Sequence, residues 1–144
     1  GLAVKAGLET LLRDRKVEIE KGYAVLLKED KVKYQKIVDS KWIDDREKMY
    51  LAQASADYLG ERALMIETIH AWVGDLLRLK AGGEGLDFPE HEEVMKKAVE
   101  DEDLDVLLRR VAAMEELRRL LETNVVEALA LEVSLMNTFG KISA

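Results

Sequence analysis

Apolar residues recur every three or four positions along most of the 144-residue chain, which is the spacing of one face of an α-helix. No segment alternates between apolar and polar residues with the period of two that strands show. The first helical segment runs from Leu2 to about Ser40, and Gly7 and Gly22 within it weaken the prediction of one unbroken helix. Its apolar stripe begins with Leu8, Leu11 and Leu12.

A second helix is predicted from the stretch DDREKMY onward. Asp44 can cap its first turn, and Glu47 lies three residues later, as in a capping box. The helix should continue to about Ala81 and end at the pair Gly82-Gly83. Its apolar stripe consists of Ile66, Ile69, Val73, Leu76 and Leu77.

The remaining chain predicts three shorter helices. GGEGLDFPEHEE is a loop followed by a helix start, with Pro89 in the first turn, and this helix reaches about Val99. EDED separates it from a helix over Leu104–Glu122, whose apolar seam is Leu104, Leu107, Val111, Met114 and Leu121. Asn124 then caps the last helix, with Glu127 as its reciprocal partner, and that helix ends near Gly140. The sequence therefore predicts an all-α fold: a single bundle of about five helices, forming one domain over residues 1–144.

A glutamate interrupts the apolar surface of the last helix. At 100° per residue, Glu132 lies near the middle of a broad arc, and Glu127, Ser134 and Thr138 lie opposite. The arc contains Val125, Ala128, Leu129, Leu135, Met136 and Phe139. An unpaired carboxylate buried in that arc would be costly. Arg118, on the seam side of the preceding helix, is the predicted partner in a buried bidentate ion pair whose loss would destabilise the fold.

Composition and charge narrow the classes of function. Hydrophobic residues make up 48% of the chain and charged residues 35%, which is typical of a folded globular protein. The net charge is −7 with no basic block, which disfavours direct binding to nucleic acid or to a membrane surface. There is no cysteine, no apolar run long enough to span a membrane and no expected signal peptide, so a cytoplasmic protein is predicted.

Candidate chemistry is sparse. Glu67 and His70 form one E-x-x-H pair, but a di-iron bundle needs two such pairs, and Phe88 stands where the pair of His91 would need glutamate. A histidine at the edge of a packed stripe is therefore the favoured interpretation of His70, and His91 is expected to be exposed. The chain has no nucleophile elbow, phosphate-binding loop or dinucleotide motif, so neither catalysis nor a cofactor is expected.

Trp72 lies on the flank of the apolar stripe of its helix. Core packing is the favoured role for its side chain. A subunit contact is the alternative, because tryptophan is enriched at protein interfaces.

Three stretches together resemble a known family: WVGDLLRLKAGG (72–83), AVEDEDLDVLL (98–108) and LRRLLETNVVEALALE (117–132). Over about Leu64–Gly140, the chain is similar to the C-terminal collar domain of the delta-prime family of bacterial DNA polymerase III clamp-loader subunits. The matched positions include Trp72, Asp75, Leu76, Leu77, Lys80, Gly82, Asn124, Val125, Leu129, Ala130, Leu131 and Glu132. Gly74 stands where the family has arginine, and Val126 where it has a second asparagine.

The resemblance implies a non-catalytic domain, a C-terminal piece of a longer AAA+ subunit. Such a domain packs with those of the gamma/tau and delta subunits in a five-membered ring that supports sliding-clamp loading. It contacts neither nucleic acid nor membrane, and in isolation it would be able to self-associate. The structural or interface candidates are Trp72, Asp75, Leu76, Leu77, Arg118, Asn124, Leu129 and Glu132. The alternatives are a gamma/tau collar domain, an unrelated helical interaction module and a carboxylate-bridged metal bundle.

Overall fold

The structure of the chain is a computed structural model that describes residues 2–123 and 125–139. These residues form five α-helices and one short 3-10 helix, without any β-strand, so the predicted all-α class is confirmed. The helices are α1 (Leu2–Tyr34), α2 (Ser40–Lys80), α3 (Glu92–Val99), α4 (Leu104–Leu121) and α5 (Glu127–Phe139), with the 3-10 helix at Pro89–His91. None of the helices in this part of the chain combines the length and the apolarity needed to cross a membrane.

The chain divides into two compact units. Residues Glu9–Arg62 form one unit, here called the hairpin unit. The other, here called the bundle unit, consists of the chain up to Leu8 together with the chain from Ala63 onward. Helices α1 and α2 each contribute residues to both units. The assignment of residues 1–144 to a single domain stays a prediction.

Two side-chain contacts define the pairing of helices within the hairpin unit. Arg15 donates from Nε and Nη2 to the two carboxylate oxygens of Glu61, each at 2.6 Å. Further along α1, Tyr23 donates its hydroxyl to Asp57 at 2.5 Å. Residue numbers thus rise on α1 as they fall on α2, and the two helices are antiparallel. The buried side chains between them include Leu12, Tyr50, Ala54 and Tyr58.

Asp30 joins the two helices near the connection of the hairpin. Its Oδ2 accepts a hydrogen bond from the Tyr50 hydroxyl at 2.6 Å and another from Arg46 Nε at 2.9 Å. These bonds, with that of Tyr50 the larger cause, hold the pKa of Asp30 below its usual value. The Arg46 guanidinium also lies over the ring of Trp42, which meets Tyr34 edge to face at 5.2 Å. Aromatic and charged contacts therefore fix this end of the hairpin.

Helix α1 is continuous through Gly7 and Gly22. A glycine inside a helix costs about 1 kcal/mol relative to alanine. Two such costs are small against the packing of a helix of 33 residues. The helix ends at Tyr34, earlier than the predicted Ser40.

Helix α2 begins at Ser40, four residues before the predicted start at Asp44. The cap is Asp39, whose Oδ1 accepts the backbone N–H of Trp42 at 2.9 Å. An aspartate three residues before a free N–H is the geometry of an N-cap, and Asp39 meets it one turn earlier than Asp44 would.

The predicted stop at Gly82-Gly83 is confirmed. Helix α2 ends at Lys80, and Gly82 has a φ of +73°, the left-handed conformation that glycine adopts without strain. Gly83 N–H donates to the carbonyl of Arg78 at 2.7 Å, and Gly82 N–H donates to that of Leu79 at 3.3 Å. These are the two hydrogen bonds of a Schellman motif.

The bundle unit has an apolar core to which all of its helices contribute. On α4, Leu107 and Met114 are buried as the seam predicted, whereas Leu104 is exposed and Leu117 is buried in addition. Leu107 packs in one cluster with Leu76, Met95 and Val99. The larger fully buried side chains are Ile66, Val73, Met95, Leu107, Met114, Leu117, Leu131 and Leu135.

We expect the Asp30 network to make stability depend on acid pH. A folded-state pKa below the unfolded value of about 3.9 contributes stability above that pH, and the contribution is lost as the pH falls through the folded pKa. Asp30→Asn should therefore lower the melting temperature at pH 7, and its difference from wild type should shrink as the pH falls below about 4. Circular dichroism melts across this range test it, with the exposed Asp45→Asn as a control. An equal difference at neutral and acid pH would contradict it.

Candidate functional site

Helix α5 buries the side on which the sequence analysis placed Ser134 and Thr138, together with Leu135 from the predicted apolar arc. Its buried residues are Ala130, Leu131, Ser134, Leu135 and Thr138. The Thr138 hydroxyl donates to the carbonyl of Ser134 at 2.7 Å, so burial leaves it satisfied. This side combines the large residues Leu131 and Leu135 with the small residues Ala130 and Ser134, and the small residues allow close approach to a neighbouring helix. Helix α5 packs against α4.

The opposite side of α5 is open. Leu129 is 56% exposed, Val133 48% and Met136 40%, although each is large and apolar. The Glu132 side chain is 56% exposed among them. We call Leu129, Glu132, Val133 and Met136 the exposed face of α5; they share one side of the helix, since they are spaced by three, four and seven residues. Of the predicted apolar arc, Leu135 is buried, whereas Val125, Leu129 and Met136 are exposed.

The predicted ion pair between Arg118 and Glu132 is wrong. Arg118 Nε instead lies 2.7 Å from Glu67 Oε1, and Glu132 Oε2 lies 3.7 Å from Lys5 Nζ. All of these side chains except that of Lys5 are close to half exposed. With Glu132 turned away from the α4–α5 contact, Arg118 cannot reach it and pairs with α2. Neither carboxylate therefore requires a buried partner.

The residues that lead into α5 are also apolar and exposed. Val125 and Val126 directly precede the helix, which begins at Glu127. Asn124, the predicted cap, lies outside the described residues. The sequence analysis did not single out Val133, although a spacing of four residues after Leu129 would have placed it on the same face.

Asp75 is the most buried charged group among the described residues, with no exposed surface. Its Oδ1 accepts the backbone N–H of Asp87 at 3.0 Å, and its Oδ2 accepts that of Phe88 at 2.8 Å. Arg78 donates to the same carboxylate and also to Asp87 at 3.1 Å. Hydrogen bonds raise the pKa of the Arg78 guanidinium, and the bond to Asp87 is a larger cause than the bond to Asp75. Asp75 therefore fixes the loop that follows α2 onto the helix itself.

The aromatic candidate Trp72 packs on that same loop. Its ring lies 5.6 Å from the ring of Phe88 and 5.5 Å from that of His91. Trp72 and Leu77 are partly buried against the cluster that contains Leu76. These positions agree with the core-packing interpretation of Trp72.

Lys80 has a positional role that the helix pattern did not reveal. Its Nζ donates to the carbonyls of Val99 at 3.1 Å and Glu100 at 3.0 Å, at the carboxyl end of α3. Carbonyls there lack helical partners, and a cation also suits the negative end of the helix dipole. A lysine just before a glycine stop gives no sequence signal for a contact with a later helix.

The two histidines are not assembled into a metal site. His70 Nε2 is buried without a hydrogen-bond partner and lies 3.9 Å from Glu115 Oε1, whereas Glu67 is engaged by Arg118. His91 is half exposed beside Glu90, as expected. Across residues 2–123 and 125–139 there is no group of three histidine, aspartate or glutamate side chains that could hold a metal ion.

Comparison with known proteins identifies no relative: no protein family, no curated protein and no solved structure matches the chain.

We expect Asp75 to be important for stability. Asp75→Asn keeps the shape of the side chain, but turns an amide NH₂ toward one of the two loop N–H groups and removes the charge that faces Arg78. The loss of a charge-assisted buried hydrogen bond should lower the free energy of unfolding by about 2 kcal/mol. Asp87→Asn, at a half-exposed partner of the same arginine, should cost less than about 1 kcal/mol. Urea unfolding measures both, and equal effects would refute the assigned role.

Proposed function

We propose that this chain is a non-catalytic subunit-assembly domain, of the type found in the collar of bacterial DNA polymerase III clamp loaders. The observation that carries the proposal is the exposed face of α5, with Leu129, Val133 and Met136 on one side of a helix. Contiguous apolar surface rimmed by polar groups is characteristic of a protein–protein contact. The partners are the helical domains of neighbouring subunits, gamma/tau and delta, in a cytoplasmic assembly.

The free energy that burial of this face can contribute favours an assembly of several subunits over a tight complex of only two proteins. Full burial of a large apolar side chain is worth about 1.5–3 kcal/mol, and each of the three is already about half covered. Together they would contribute roughly 3 kcal/mol, which is far less than a stable complex needs. Leu104 and Leu108 on α4 are exposed as well and could enlarge the contact. A ring in which each domain contacts two neighbours suits such modest surfaces.

Glu132 has a specific role in this proposal. A carboxylate within an apolar face does little for affinity, but it excludes partners that lack a matching cation and fixes the alignment of the helices. Lys5 Nζ lies 3.7 Å from Glu132 Oε2, which is too far for a direct hydrogen bond, and the carboxylate remains half exposed. A basic side chain of a neighbouring subunit could therefore bind to Glu132.

The sequence resemblance supports the same proposal through residues that have structural tasks. Asp75 holds the loop after α2, Lys80 caps α3, and Gly82 ends α2. Leu131, another matched position, is buried in the core. Matched positions that maintain packing and helix ends are what a shared fold would require. None of these four matched residues has a catalytic task in the proposal, which assigns the domain to subunit assembly.

A mixing experiment tests the proposal. The chain is combined with purified gamma/tau and delta subunits, and mass is followed by size exclusion with light scattering. We expect a stable co-eluting complex without ATP. If the chain elutes alone at every ratio, with the partners shown to be folded, the clamp-loader assignment is rejected and an unrelated helical interaction module becomes the better account.

A pair of matched variants tests the surface itself. Val133→Asp places a charge on the exposed face of α5, and Val94→Asp makes the same change at an exposed position of α3. Each should change the free energy of unfolding by no more than about 0.5 kcal/mol, because neither valine is in the core. Only Val133→Asp should abolish co-elution. A complex that tolerates Val133→Asp would exclude this face as the contact.

The corrected position of Glu132 gives a separate expectation. Glu132→Ala and Arg118→Ala should each change the free energy of unfolding by less than about 1 kcal/mol, because both ion pairs are exposed. Thermal and urea unfolding measure the effect. A loss of several kcal/mol in either variant would restore the buried pair that the sequence suggested.

A further inference from the structure

The connection of the hairpin unit carries the two most exposed large hydrophobic side chains among the described residues. Val32, in the last turn of α1, is 78% exposed, and Ile37, in the turn that follows, is 77% exposed. Both lie in residues 31–44, here called the closed end of the hairpin. A fold gains nothing from aliphatic side chains left in water, so packing within the chain does not explain them.

The same segment is basic in a chain that is acidic overall. Residues 31–44 contain four lysines, Lys31, Lys33, Lys36 and Lys41, and two acidic residues, Asp39 and Asp44, whereas the net charge of the chain is −7. Lys31 and Lys33 lie in the last turn of α1, where a cation stabilises the helix dipole. Lys41 lies in the first turn of α2, where a cation opposes the dipole, so helix stability does not account for it.

A cleft of about 340 Å³ opens in this segment. Its lining residues are Lys31, Gln35, Val38, Asp39, Ser40, Ile43 and Asp44. It combines an apolar pair, Val38 and Ile43, with a lysine and with carboxylates. The volume is at the lower end of the range of about 300–1,000 Å³ found for ligand sites. It would admit one or two side chains of a peptide.

The aromatic side chains that pack at the closed end are held in place by contacts with one another and with Arg46. Tyr34 and Trp42 pack edge to face at 5.2 Å, and the Arg46 guanidinium covers Trp42 while Arg46 Nε binds Asp30 at 2.9 Å. A surface held in this way loses little conformational freedom on binding, which favours affinity.

We propose that the closed end of the hairpin binds an acidic peptide segment that also carries aliphatic side chains. Its carboxylates would pair with the lysines, and its aliphatic groups would cover Val32 and Ile37 or enter the cleft. Its backbone N–H groups could donate to Asp39 and Asp44. The mutual packing of Tyr34 and Trp42 leaves no free aromatic ring for stacking bases, which disfavours a single-stranded nucleic acid. The proposal is independent of the collar assignment, because it uses no residue of the bundle unit.

The test is selection from a library of random twelve-residue peptides displayed on phage, panned against the whole chain. We expect enrichment of sequences that combine aspartate or glutamate with leucine, isoleucine or valine. An enriched peptide, labelled with fluorescein, is then titrated by fluorescence anisotropy. Its affinity should fall severalfold as NaCl rises from about 50 to about 300 mM, because the contacts between charges are exposed.

Variants assign the binding to residues. Lys33→Glu/Lys36→Glu should weaken binding of the labelled peptide by about tenfold or more, and Val32→Ser/Ile37→Ser should do the same without a change in salt dependence. The control is Lys21→Glu/Lys48→Glu, which changes the net charge equally at exposed positions outside the closed end and should leave binding within about twofold. Circular dichroism confirms that each variant is folded.

Three outcomes would overturn the proposal. The first is a selection that enriches no acidic and aliphatic sequence above the level found with the Val32→Ser/Ile37→Ser variant. The second is peptide binding that the control variant weakens as much as Lys33→Glu/Lys36→Glu does. The third is failure of the labelled peptide to bind while a thymidine oligonucleotide or phosphatidylserine vesicles bind in a manner that Lys33→Glu/Lys36→Glu abolishes.

Discussion

Helix α5 carries apolar side chains on two opposite sides, and packing within the bundle unit covers only one of them. The covered side contains Leu131 and Leu135 with the small residues Ala130 and Ser134, so that α5 can lie close to α4. Leu129, Val133 and Met136 are left in solvent on the other side. This constraint links sequence to the proposed function, in which a second partner would complete the burial.

Buried and half-buried carboxylates organise the rest of the fold. Asp75 ties the loop after α2 to that helix, Asp30 ties α1 to α2 near their connection, and Glu61 does so through Arg15 at the other end of the hairpin unit. Each accepts hydrogen bonds from a helix or loop other than its own turn of helix. Helix periodicity alone would allow the elements to slide past one another, whereas these pairings specify one register.

The sequence predicted what depends on local chemistry and missed what depends on three-dimensional packing. The helices, the stop at Gly82 and the buried pair Leu107 and Met114 follow from periodicity and from glycine conformation. The side on which α5 is covered does not, because Leu131 and Leu129 are equally apolar, and only the close approach of α4 distinguishes them. The prediction that Arg118 pairs with Glu132 was wrong for the same reason, since its actual partner, Glu67, comes from a helix far away in sequence.

The most direct test of the central claim measures accessibility of the exposed face of α5 before and after assembly. The chain has no cysteine, so Met136→Cys introduces a unique thiol on this face and Val94→Cys introduces one on α3. Both thiols should react rapidly with a maleimide dye in the isolated chain. With gamma/tau and delta present, the thiol at position 136 should become protected while that at position 94 stays reactive. A co-eluting complex in which position 136 remains as reactive as position 94 would contradict the account.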